Sequence, residues 1–433
     1  MLIEWTYWLR TLSPGDILTV ITVLLLIDGP RYAFCCAGAV VYDSVRDCGR
    51  WLRGRKEANR YSHCPSVSVL IAGHNEGKTI QATLASLWGT YPRLEIIVVD
   101  DGSTDQMAAA ASEFARHHTR VLALSRPERG GKSSALNWAL SYSQADIVIS
   151  VDADSELSPN AIWEIVQPFE DRAVGAVSAT LEAWNAFTNL VTWLQAYEYR
   201  HSVFVGRMIQ SRLGMLDIVS GAFGAFRRNV IVEHLKGWDV GPGEDSDITL
   251  QIRKSGHKVV AAPRAVCLTN APTTWRRLFC QRLRWDRSII TLSRKHFRLA
   301  YLKSKKFRPS DLWLLIDSWF FNVIAVFAFW IWCFWLIVTL PHNESLGVEL
   351  GNTIFLLYVV QLCLEVLQCL SVLFYSENQQ RDLLTCAVLP IVPFYRIFLK
   401  AARLVALTDE LFLRKSYDDT FVPQKVRAVT RRW

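Results

Sequence analysis

Among ten cysteines and nine histidines the sequence has no CxxC pair and no Cys/His spacing that would hold a metal, so neither a zinc module nor a redox dithiol is expected. Cys35, Cys36, Cys333, Cys363 and Cys369 lie in apolar runs and read as small hydrophobes in a reducing compartment. A P-loop is also missing: "GGKS" at 130–133 would need glycine at position 126, where Arg126 stands, and this disfavours a nucleoside triphosphatase. No A-x-A cleavage pattern leads into a secreted domain, so the apolar N-terminus reads as a retained anchor. Internal repeats and low-complexity linkers are absent. Residues 64 to about 300 contain no run long enough to cross a bilayer, and a polar domain is expected there.

What is present is unusually apolar. Of 433 residues 51% are hydrophobic and 12% aromatic, with 17 tryptophans, a balance that predicts a membrane protein with a sizeable polar domain. The net charge of +8 (48 basic against 40 acidic residues) gathers beside apolar segments, as in "RDCGRWLRGRKEANR" at 46–60. This suits anionic lipid and phosphate, not nucleic acid. One imperfect span is expected over about 16–42; the basic cluster after it places the following region in the cytoplasm. A charge-free run fills 318–340 and a second span covers about 353–375, interrupted by Glu365. A third candidate, 383–407, carries two prolines and three basic residues, and crossing, kinking and lying in the interface all remain open for it. Glu365 lies ten residues from the inner end of its span and Arg396 thirteen from the start of the next, depths that differ by about 4 to 5 Å. An ion pair between them is one expectation; an interfacial third segment, with Arg396 snorkelling to headgroups and Glu365 neutral, is the other. The chain thus divides into an N-terminal membrane anchor with a basic juxtamembrane segment (1–63), a cytoplasmic domain that includes an interfacial helix at "QRLRW" (64–300), and a C-terminal transmembrane or interfacial region with a basic tail (301–433).

In the middle region short apolar runs at 66–72, 95–100, 120–125 and 146–152 alternate with helical stretches, the signature of a mainly parallel α/β sheet. Ligands bind such sheets at the carboxyl ends of the strands. "GHNE" (73–76), "DDGSTD" (100–105), "RGGKSSALN" (129–137) and "DADS" (152–155) all fall there. On an extended chain Asp152 and Asp154 point the same way and can bracket one divalent cation, although such a triplet also serves as a turn or helix cap. Lys132 reads as a helix-start cation near phosphate or as a solvated lysine. In "GPGEDSDITLQIRKSG" (241–256), Glu244, Asp245 and Asp247 open a helix; capping accounts for Asp247, and two further acids exceed that need. One of them can act as a general base. In "QRLRW" (281–285), Gln281, Arg284 and Trp285 fall on one helical face, offering an amide, a phosphate fork and a stacking platform. A basic amphipathic helix resting on headgroups is the alternative.

The ordered set "GHNE", "DDGSTD", "GGKSSALN", "DADS", "SGAFGAFRR", "GED" and "QRLRW" resembles the processive inverting glycosyltransferases of family two, which include hyaluronan, chitin, cellulose and poly-N-acetylglucosamine synthases. The resemblance spans about 66–290, and "GED" replaces the family's usual "TED". It implies a cytoplasmic GT-A-like domain flanked by transmembrane helices. It further implies donor contacts from Asn75, Glu76, Asp100, Asp101, Lys132, Asp152, Gln281 and Arg284, and Mg2+ or Mn2+ at Asp152 and Asp154. Asp245, beside Glu244, would be the base, and Trp285 would meet the acceptor. The implied partners are a UDP-sugar, best UDP-N-acetylglucosamine, a growing polysaccharide, the bilayer and possible accessory export subunits. The implied location is the plasma (inner) membrane, multi-pass. A non-processive transferase acting on a lipid or polyprenyl-phosphate acceptor, and a nucleotide-sensing transporter or receptor, are the competing readings.

Overall fold

The computed structural model describes residues 16, 32–49, 61–239, 241, 243–296, 307–342, 344–417 and 423. Eight strands form one sheet: β1 (Val67–Gly73), β2 (Leu94–Asp101), β3 (Val121–Arg126), β4 (Ile147–Asp152), β5 (Glu156–Leu157), β6 (Val174–Ala183), β7 (Phe223–Arg227) and β8 (Lys258–Thr269). Their order is β3-β2-β1-β4-β7-β6-β8-β5. The expected mainly parallel sheet is present, with β7 running against both β4 and β6, and β5 against β8. All the remaining strands share one direction, so their carboxyl ends form a single rim. Side-chain alternation builds a core on each face of the sheet. Val69 and Ile71 enter one cluster with Ile80, Leu84 and Ile149. Leu70 enters the other with Leu136, Val148, Phe226 and Ile248. Each such side chain contributes roughly 1.5–3 kcal/mol of burial, which fixes the register and therefore which residues reach the rim.

The helices that matter for the site are α1 (Ile80–Leu87), α2 (Met107–His117), α3 (Lys132–Tyr142), α4 (Ala161–Val166), α5 (Leu190–Glu198), α6 (Glu244–Lys254) and α7 (Trp275–His296). A capping box between Asn189 and Thr192 starts α5. Its chain continues through π turns at Tyr199–Gly206, an irregularity common at functional sites.

The chain divides into two compact units, 1–53 with 315–404, and 54–314 with 405–433. Within the second, residues after 404 pack on α7: Arg287 Nη2 lies 2.7 Å from Asp409 Oδ2, and Thr291 Oγ1 donates to Glu410 Oε1 at 3.0 Å. Glu410 also accepts from the Ser416 amide at 3.0 Å.

Three helices among the described residues are long and apolar enough to cross a bilayer: Pro309–Thr339, Gly347–Tyr375 and Gln379–Leu413. Most of the span expected over 16–42 lies outside the described residues, as does much of the basic cluster at 46–60; residues 32–49 are helical. The expected ion pair has formed. Arg396 Nη2 stands 2.5 Å from Glu365 Oε1, and the Glu365 side chain is 0% exposed. Gln361 Nε2 donates to the same oxygen at 2.6 Å. A buried carboxylate stripped of its cation is strongly destabilising. Glu365→Arg and Arg396→Glu are each expected to reduce the yield of folded protein in membranes, and the double exchange to restore much of it. A double variant no better than either single one, measured by size-exclusion after extraction, would remove the pair as a structural element.

Candidate active site

The two acids at the end of β2 are buried and committed to the loops around them. Asp101 accepts from the amides of Gly130 and Gly131, both at 2.8 Å, and pairs with Arg126 Nε at 2.8 Å. Asp100 accepts from Ser125 Oγ at 2.8 Å and from the Ser103 amide at 3.3 Å. Asn75 takes a left-handed backbone (φ 63°); its Oδ1 accepts from the Thr104 amide at 2.8 Å, and its own amide donates to Ser103 Oγ at 2.8 Å. These bonds lock the loops after β1, β2 and β3 to one another. Glu76 accepts from Thr79 Oγ1 at 3.0 Å, and burial, followed by the charge of Asp154, raises its pKa.

Beside them lies an acidic cup. The register pairs Ala72 with Asp152, so the DADS turn emerges directly next to the loop of Asn75 and Glu76. Thr83 Oγ1 of α1 fixes that turn through the Ala153 carbonyl at 2.9 Å. Burial raises Asp154, and the negative charge of Asp152 raises it further. Lys132, the first residue of α3, reaches across with Nζ 2.6 Å from Asp152 Oδ1 and 3.8 Å from Glu244 Oε1. Burial by itself would lower the ammonium's pKa, but the summed fields of Asp152, Asp245 and Glu244 leave it raised. The lysine therefore stays charged and bridges the ends of β4 and α6.

Asp245 sits in the first turn of α6. Burial, and then its neighbour Glu244, push its pKa up to about 7; Lys132 and the Gly221 backbone pull the other way. Gly221 is required by space, since a Cβ there would collide with the Asp245 carboxylate. Arg207, which donates to Ser178 Oγ at 3.1 Å, is drawn down to about 10 by burial while the charges of Asp217 and Asp245 oppose that. Gly243 caps α6 at φ 73°, and a side chain there would strike Ser288 of α7. A threonine would be strained in that left-handed backbone.

On α7, Arg284 and Trp285 are exposed, Trp285 at 46%. Gln281 turns into a cleft of about 360 Å³ lined also by Asn185, Asn270, Ala271, Pro272, Thr273 and Arg277, with none of the acidic residues on its wall. Arg282 is buried and bidentate to Glu198, both bonds 2.8 Å. Its guanidinium stands 4.5 Å from the centre of the Trp285 ring, so a cation covers part of the indole and helps set its orientation.

Residues 65–288 match the model of a family described as glycosyltransferase like family 2. The chain belongs to glycosyltransferase family 2. It is 28% identical over 325 residues to the hyaluronan synthase of Streptococcus pyogenes, covering 70% of this chain and 74% of that one. With the poly-beta-1,6-N-acetyl-D-glucosamine synthase of Staphylococcus epidermidis it shares 26% identity over 280 residues, or 63% and 66% of the two chains. Among solved structures, the mannosyltransferase PcManGT from Pyrobaculum calidifontis, in complex with GDP-Man and Mn2+, has the same fold at TM-score 0.58 and 22% identity, covering 91% and 99%.

In this glycosyltransferase, then, Lys132, Asp152, Glu244 and Asp245 converge in one cup with Asp154 and Glu76 at its edge. Gln281 faces a separate cleft. Arg207, Arg282 and Glu198 were not singled out from the sequence. Arg207 carries no motif; Arg282 stands inside "QRLRW", but at a position the helical-face argument passes over.

Proposed function

We propose that this glycosyltransferase transfers a sugar from a UDP-sugar, best UDP-N-acetylglucosamine, to the end of a growing polysaccharide at a membrane, with inversion at the anomeric carbon. The observation that carries the reading is the single cup in which a base with pKa about 7 faces a lysine and a pair of carboxylates suited to a diphosphate and its cation. Asp245 accepts the proton of the acceptor hydroxyl, and the freed oxygen attacks the anomeric carbon in line. The bond from that carbon to the diphosphate oxygen breaks as the new bond forms, so an α-linked donor gives a β-linked product. Asp100 and the loops held by Asp101 and Asn75 form the nucleotide end of the crevice. Lys132 faces the phosphates, and Trp285 offers the terminal acceptor sugar a stacking surface.

The donor set also fits a divalent cation. Asp152 and Asp154 are hard oxygen ligands, Asp154 raised by burial and then by the charge of Asp152, and among the described residues no cluster of three protein ligands would complete a closed site. Mg2+ or Mn2+ held there with the donor phosphates would neutralise charge on the departing diphosphate. The basic cluster at 46–60 favours the cytoplasmic side for the region that follows it, so the reading puts the catalytic domain on the cytoplasmic face of the plasma (inner) membrane in a multi-pass chain.

Membranes carrying the protein, incubated with a panel of labelled UDP-sugars and Mg2+ or Mn2+, test this directly. The expected result is UDP release with one sugar and a polydisperse labelled product. A single-sugar lipid would replace processive synthesis by one-step transfer, and no release with any UDP-sugar would refute the donor assignment.

A further inference from the structure

Since β6 and β8 run parallel to β4, the loops that follow them lie on the same rim as Asp152. The loop after β6 exposes Trp184 and Phe187, with Trp184 60% exposed, and Leu190 at the start of α5 is exposed beside them. It is stitched to the loop after β8: the Trp184 amide donates to the Thr269 carbonyl at 2.9 Å, Asn185 exchanges two bonds with Ala271 at 2.8 and 2.9 Å, and Asn189 Nδ2 donates to the Thr273 carbonyl at 2.9 Å. Exposed Trp275, Arg276 and Arg277 follow immediately. The two loops thus form one projecting edge of indole, phenyl and aliphatic groups beside two guanidinium groups. No acidic residue occurs at 183–193 or 270–281.

We propose that this edge is a lipid-docking surface, inserting its aromatic tips among the headgroups of an anionic bilayer while Arg276 and Arg277 meet the phosphates. Tryptophan and phenylalanine beside arginine is the composition that favours the interfacial zone. Asn185 and Asn189 have turned their amides inward to hold the loops together, which leaves the aromatic tips as the outermost groups of the edge. The chain carries helices able to span a bilayer, so a second, weak attachment acts at high effective concentration and needs little intrinsic affinity. Docking by this rim would keep the crevice mouth beside the lipid surface, where a polymer leaving through the membrane must start.

The test uses the full chain in nanodiscs of mixed phosphatidylglycerol and phosphatidylcholine, with photoreactive benzoylphenylalanine replacing Phe187, or replacing Tyr142 as a control. Tyr142 is also exposed but ends α3 at the opposite end of the sheet. Irradiation should give lipid adducts at 187 in large excess over 142, enriched in phosphatidylglycerol. Arg276→Gln with Arg277→Gln should abolish that enrichment while the adducts persist. Lipid adducts at 187 no more abundant than at 142, or adducts to polysaccharide or protein in their place, would overturn the proposal. Enrichment unchanged by the arginine substitutions would overturn the role of the phosphates. Retained UDP release by each labelled protein shows that it has folded.

Discussion

Asp245→Asn is expected to lower turnover by about 10²–10⁴-fold, the range that a positioned general base contributes, while leaving UDP affinity nearly unchanged. The amide keeps the shape of the side chain and its place under Gly221 but cannot take a proton. Because the reactive form is the carboxylate and its pKa is raised to about 7, the unaltered enzyme should run at full rate above that pH. It should lose activity as the pH falls through it. The residual activity of the variant should lack this acid limb. A rate assay over a pH series, with parallel UDP titrations, reads both effects; near-normal turnover by Asp245→Asn, with the limb intact, would move the base elsewhere.

The second large effect is expected at Asp154→Ala, with a loss of metal-dependent UDP affinity exceeding about 100-fold, since even indirect supports of a metal site cost 10–100-fold. The turn that carries the carboxylate is held in place by Thr83, whose Oγ1 donates to the Ala153 carbonyl at 2.9 Å. Removing it leaves Asp152, already paired with Lys132, as the remaining carboxylate of the pair. Calorimetric titration of UDP at rising Mn2+ should show the metal dependence collapse. An unchanged dependence would exclude Asp154 as a ligand.

Much of this site could be read from residue order because strand-end chemistry is local. The apolar run of β4 announces a central strand, so the acids after it had to reach the rim; the surplus acids at the start of α6 exceeded what capping needs. The division of labour between Asp100 and Asp101 could not be read. Two adjacent carboxylates look alike in one dimension, and only the folded loop brings the Gly130 and Gly131 amides to the second of them. Lys132 was ambiguous for the same reason: its partners come from β4 and α6, far apart in the chain. The buried Arg282–Glu198 pair joins α7 to α5, and helical periodicity says nothing about contacts between helices. The direction of β7 could not be read from residue order, because it depends on the return path through α5 and its π turns.

The fastening of Asp409 and Glu410 to α7 carries a topological consequence. The chain leaves the domain bearing the acidic cup at about 314 and is held by that same domain again from 405. A path that starts and finishes on one side of a bilayer crosses it an even number of times, and we infer that the three long apolar helices are not all complete crossings. The segment with the 3-10 turn at Cys386–Ile391 and a proline inside it is the one suited to enter and turn, or to run along the surface. On that path Arg414 and Lys415 would stay on the side of the domain that bears the cup, as the charge bias of membrane proteins favours.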